Sequence, residues 1–151
     1  MTDDERELAG MFEGLRFPPA QILEEGTAVF NCIAWAADDR TKWWQPLSPG
    51  DYWPVGCPDD ITIEALVSVY VSIGYQTCPN GDPEGSVEKI ALMIRDGFFS
   101  HAMKQEPSGT WTSKLGAGHS IRHGLCDLIG DTYGELHTFM SRPLGIIPTN
   151  D

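Results

Sequence analysis

The chain has 151 residues with 22 acidic and 10 basic side chains, a formal charge of −12. That length supports one domain with a sizeable core, and the charge repels both a phosphate backbone and an anionic bilayer, so nucleic acid and membrane are not expected partners. No apolar run approaches a membrane span, and the acidic start Met1-Thr2-Asp3-Asp4-Glu5 lacks the pattern of a secretory signal, so a cytoplasmic protein is expected, with signal-less export left open.

Residues 1–25 read as an N-terminal helix and its lead-in. Thr2 and Glu5 have capping-box spacing, Leu8, Met11, Phe12 and Leu15 recur with helical period, and Phe17-Pro18-Pro19 ends the run. Ala20 to Val29 fits no period, and Gly26 suggests a turn. Asn31 is a good N-cap for a short helix Cys32-Ile33-Ala34-Trp35-Ala36. Cys32 then takes the first helical position, where unpaired N–H groups and the dipole favour a thiolate. Residues 41–58 carry Trp43, Trp44 and Trp53 among prolines at 46, 49, 54 and 58, which preclude regular structure. These aromatics either cover the edge of the core or wall a cleft beside Cys32, with core cover the favoured reading.

Asp60 to Ile73 is the clearest helix, with Asp60 as cap, an apolar stripe of Ile63, Leu66, Val67, Tyr70 and Val71, and Gly74 as its left-handed stop. After the loop Pro79-Asn80-Gly81-Asp82-Pro83, strands are expected from Ser86. Ile90, Leu92 and Ile94 alternate, and Asp96-Gly97 signals a hairpin back through Phe98–Gln105. Glu106-Pro107-Ser108-Gly109 turns into a third strand at Thr110–Lys114; His119–Ile129 reads as loop and short helix, and Tyr133–Ser141 as a last strand before a Pro-containing tail. Helices followed by an antiparallel meander define an α+β domain.

His101 lies in the second strand of the meander, where it can act as base to Cys32. If Pro107-Ser108-Gly109 is a three-residue loop, Met103 faces Ser113, and Ser113 shares a face with His101 and can orient its ring. Loops of two or four residues bring Thr112 or Lys114 there instead. His119, His123 and Cys126 have spacings of four and three, compatible with zinc on one helical face; Gly116, Gly118 and Gly124 argue against that helix, and no Cys-x-x-Cys completes the set. No metal or other cofactor is expected. His123 stays a reserve candidate for orienting His101 or touching substrate. The four cysteines (Cys32, Cys57, Cys78, Cys126) are expected to be reduced thiols, with a Cys57–Cys78 bridge suited to an exported chain.

The order Asn31-Cys32-Ile33-Ala34-Trp35, then His101-Ala102, then Trp111-Thr112-Ser113-Lys114-Leu115-Gly116 resembles the papain-like superfamily, nearest its compact NlpC-type branch. It is also similar to a group of small uncharacterised bacterial domains with Asn-Cys-x-Ala-Trp-Ala and Trp-x-Ser-Lys-x-Gly. The resemblance spans roughly residues 30–140. It implies a single papain-like domain over 1–151, with N-terminal helices packed on a C-terminal, mostly antiparallel sheet. It further implies Cys32 as nucleophile, His101 as base and Ser113 as the third member. Asn31, Trp35, Trp43, Trp44, Trp111 and His123 are the expected substrate contacts, and a peptide, peptidoglycan or other protein the expected substrate. Two departures stand out: Gly26 occupies the place of the glutamine that completes the oxyanion hole, and serine replaces the usual His, Asn or Gln. The expected activity is that of a thiol hydrolase or acyltransferase acting on an amide or thioester; the alternative is an inactive domain that binds or inhibits a protein partner.

Overall fold

The computed structural model describes residues 1–145. Its centre is a seven-stranded antiparallel sheet in the order β1-β6-β5-β4-β3-β7-β2. The strands are β1 (Gln21–Glu24), β2 (Gln76–Cys78), β3 (Val87–Arg95), β4 (Phe98–Gln105), β5 (Trp111–Lys114), β6 (Ser120–His123) and β7 (Glu135–Pro143). The helices are α1 (Asp3–Met11), α2 (Cys32–Ala36) and α3 (Ile63–Val71). The α+β class read from the sequence holds, with strands added where none was expected. β1 forms in the stretch without periodicity, β2 follows α3, and β6 replaces the loop and short helix drawn through His119–Ile129. The tail past Ser141 continues β7 to Pro143, and residues 146–151 lie outside the described range.

Local chemistry sets the ends of these elements. Thr2 and Glu5 close the capping box of α1. α3 is capped by Thr62 rather than Asp60; Asp60 instead accepts the Thr62 amide and hydroxyl at 3.0 and 2.5 Å. Asp96 and Gly97 both take positive φ, the signature of the two-residue turn that joins β3 to β4. Glu106 and Thr110 close the next turn around Pro107, Ser108 and Gly109, with Gly109 at φ +96. This three-residue loop sets the pairs Lys104↔Thr112 and Gln105↔Trp111, the register that brings Met103 opposite Ser113.

Each face of the sheet carries a core. Ile90, Leu92, Ala102 and Met140 pack against α2 and α3. Ala91, Met93, Met103 and Trp111 point the other way, onto Leu125, Tyr133, Leu136 and Phe139. On that second face α1 also docks, with Leu8 and Phe12 against Ile121 and Leu128. The N-terminal helices therefore sandwich the sheet instead of lining one side of it. All four cysteines are free thiols, Cys57 and Cys78 included.

The loop over the second face is pinned by a bridge between Gly130 and Gly134, each donating to the other's carbonyl at 3.0 and 2.8 Å. Gly134 has φ +80, and a Cβ there would stand 2.0 Å from the Ile94 carbonyl oxygen. Gly134→Ala is expected to cost about 2–4 kcal/mol from combined backbone strain and overpacking, read as a lowered urea midpoint. A loss below about 0.5 kcal/mol would show that β3 does not hold this loop.

Candidate active site

Five residues do not make a helix stable in water, so α2 depends on its surroundings. Asn31 accepts the Ala34 and Trp44 amides on Oδ1, both at 3.2 Å, and donates from Nδ2 to the Trp44 carbonyl at 2.7 Å. The Tyr70 hydroxyl donates to the Ile33 carbonyl at 2.9 Å, fastening α2 to α3. Trp35 Nε1 donates to Thr112 Oγ1 at 3.0 Å, fastening it to β5. Cys32 stands at the head of this clamped turn, as expected from the sequence.

The paired β4–β5 ladder stops at Lys104↔Thr112. Two residues further in the same register Ala102 would pair with Lys114; that pair is not formed, and the Ala102 amide acts on the Cys32 sulfur together with those of Ile33 and Cys32 itself. The sulfur thus lies at a fork where β4 and β5 separate. Burial pushes the thiol above its ordinary range, and the three amides and the Lys114 charge act in the opposite direction.

His101 is completely buried. It follows a β-bulge between Met93 and Ile94, where Ser100 is the extra residue of β4. Ala102, not His101, packs beneath α2. His101 points to the opposite face, its ring stacked on Tyr133 with centroids 4.0 Å apart. The bulge and the alternation after it place the ring across the sheet from α2, on the face of Met93.

Ser113 meets His101 as the register implied. His101 Nε2 and Ser113 Oγ are 2.9 Å apart, and Ser113 Oγ and His123 Nε2 are 2.7 Å apart. His123 Nδ1 lies 2.7 Å from the Gly124 carbonyl. A carbonyl only accepts, so His123 carries its hydrogen on Nδ1 and its Nε2 is an acceptor. Ser113 must then donate to His123 and accept from His101 Nε2–H. The remaining lone pair is on His101 Nδ1, a buried atom with no hydrogen-bond partner, the Cys32 thiol included. Desolvation, reinforced by His123, drops His101 to about 3, and burial lowers His123 as well, so both rings are neutral at pH 7. Asp127, which accepts the Gly124 amide at 2.7 Å, acts to raise His123.

The other expected contacts are distributed differently. Asn31, Trp35, Trp44 and Trp111 are buried scaffold residues, and Trp111 packs on the face away from α2. Trp43 is half-buried in the loop that Asn31 grips. His123 is the far end of the serine bridge, a role the sequence hid because its stretch did not read as a strand. His119 takes the Gly26 amide at 3.1 Å and approaches Asp4 at 3.2 Å, so it does not converge with His123 and Cys126. Among the described residues no group of three His, Cys, Asp or Glu side chains is arranged to hold a metal. A cavity of about 340 Å³ opens beside Trp35, lined also by Leu23, Glu24, Arg40 and Thr112, while Cys32 and His101 are not in its wall. No described helix is long and apolar enough to cross a membrane.

Residues 21–141 match the family model for a domain of unknown function, DUF7689. The chain belongs to this family. No curated protein and no solved structure matches it. Cys32, His101, Ser113 and His123 all fall within the DUF7689 domain, whereas α1 lies outside the matched residues.

Because His101 refuses a proton that the unfolded chain accepts below pH 6.5, folding stability is full above that pH and falls as pH drops toward about 3. The expected slope between pH 6.5 and 4.5 is up to about 1.4 kcal/mol per unit for each such histidine. Urea titrations at pH 6.5, 5.5 and 4.5 measure it. A shallower slope is expected for His101→Gln; an unchanged one would assign the loss elsewhere.

Proposed function

We propose that this DUF7689 domain is a papain-like cysteine hydrolase or acyltransferase acting on an amide or thioester. One observation carries the reading: the fixed hydrogen-bond direction from His101 through Ser113 to His123, which leaves a bare buried lone pair at His101 Nδ1, one residue before Ala102, which packs in the same cluster as Cys32. Cys32 sulfur attacks the substrate carbonyl carbon as its thiol proton passes to Nδ1. Nδ1–H then delivers that proton to the leaving amine or thiol, and water or an acceptor amine resolves the thioester. Thiol and imidazole are both neutral at rest, so proton transfer accompanies attack instead of preceding it. Ser113 and His123 fix the tautomer and spread the charge that the His101 ring gains. The Cys32 N–H is the donor available to the oxyanion. The net charge of −12 favours cationic or neutral peptides, peptidoglycan stems or protein side-chain amides.

A second reading is favoured by the cavity beside Trp35, which excludes both Cys32 and His101. On that reading the domain is an inactive relative that binds or inhibits a protein partner.

Incubation with a cell lysate, followed by intact-mass and peptide analysis, separates the two. An acyl adduct on Cys32 is expected from the wild type, reduced at least about 100-fold in His101→Ala and about 10-fold in Ser113→Ala. A wild-type chain that captures a partner without any adduct would establish the binding module.

A further inference from the structure

Among the described residues, His101 has one hydrogen-bonded ring atom. Nε2 meets Ser113 Oγ at 2.9 Å, and the buried Nδ1 has no partner. An unmade bond in such surroundings costs about 1–3 kcal/mol, a pull on the ring to turn toward any donor within reach. One bonded atom resists that turn poorly, because the ring can rock about it within the angular tolerance of a hydrogen bond. A second constraint comes from Tyr133. Its ring lies nearly parallel to the imidazole, with centroids 4.0 Å apart and planes 11° apart. The serine sets the direction of the imidazole within its plane, and the tyrosine face sets the plane.

Tyr133 is braced in turn. Ser100, the bulge residue beside His101, donates from its hydroxyl to the Tyr133 carbonyl. The Gly130–Gly134 bridge closes the loop on either side of it. From the N-terminal segment, Phe12 packs on the Tyr133 ring with centroids 5.5 Å apart, and the Met11 carbonyl accepts the Thr132 hydroxyl at 3.3 Å. Met11 and Phe12 lie outside residues 21–141, so the brace reaches the histidine from a part of the chain that the family model does not include.

We propose that Tyr133 is a positioning residue for His101: its flat face holds the imidazole in the one orientation that keeps Nδ1 bare, and Phe12 backs that face. The proposal rests on His101 being the base of the proposed reaction. The role requires the ring plane and not the hydroxyl. Phenylalanine keeps the plane, whereas leucine keeps apolar bulk without it.

The experiment is exchange of the His101 Nε2–H with water, read by ¹H–¹⁵N NMR on the full chain and assigned by its loss in His101→Gln. Wild type and Tyr133→Phe are expected to agree within about threefold, and Tyr133→Leu to exchange at least about tenfold faster. The Cys32 adduct from lysate is expected to follow the same order, within about threefold of wild type for Tyr133→Phe and about tenfold lower for Tyr133→Leu. A residue that merely fills space would give like results in both variants. Equal exchange in Tyr133→Phe and Tyr133→Leu, with the fold retained by circular dichroism, would overturn the proposal. Should Tyr133→Leu fail to fold, Phe12→Leu takes its place: exchange about threefold faster than wild type is expected, and an unchanged rate overturns the proposal. Exchange needs no substrate, and the wild-type adduct by itself judges the hydrolase reading, so either idea can fail without the other.

Discussion

A serine hydroxyl has one hydrogen to give, and the site depends on where Ser113 gives it. The Gly124 carbonyl at one end of the chain settles the direction of every bond before it, through His123 and Ser113 to His101. Reversing it would take the hydrogen off His123 Nδ1 and leave two acceptors facing each other at the Gly124 carbonyl, in surroundings where an unmade bond costs about 1–3 kcal/mol. Serine looks a poor substitute for an amide or imidazole as an orienting group. Placed between two histidines, it lets the second ring do the orienting at one remove.

The sheet makes this arrangement possible by failing at one place. β4 and β5 pair through Lys104 and Thr112, and the ladder ends there, which leaves the Ala102 amide to act on the Cys32 sulfur. Next to it, the Ser100 bulge re-aims the strand, so His101 turns onto Tyr133 while Ala102 stays small beneath α2. Consecutive residues of β5 then serve opposite faces: Ser113 joins the histidines and Lys114 joins the helix.

The hairpins were legible because turn chemistry and alternation are local. Asp96-Gly97 and the three-residue loop ending at Gly109 fix the register, and the register alone predicts that Ser113 shares a face with His101. Asn31 was legible as a cap, though not its grip on Trp44, which joins residues thirteen apart through a loop without periodicity. His123 was read only as a reserve because four residues, Ser120–His123, are too few to show a pattern, and their strand character comes from β1 and β5 on either side. The side of the sheet on which His101 lies was hidden for a related reason: counted from the Asp96-Gly97 turn, one bulge residue inverts the parity of everything after it in β4, and bulges leave little trace in composition.

The two outermost strands both precede the meander in the chain, and β1 finds its partner β6 only after about a hundred intervening residues. The three strands that carry His101, Ser113 and His123 are instead neighbours in sequence, joined by short turns. Closing short loops costs less chain entropy than closing long ones. The histidine–serine assembly can therefore form as a local meander, while the helix bearing the sulfur must arrive from some seventy residues upstream. Assembly order thus delays the docking of the Cys32 helix on the histidine–serine meander until the longer loops of the domain have closed.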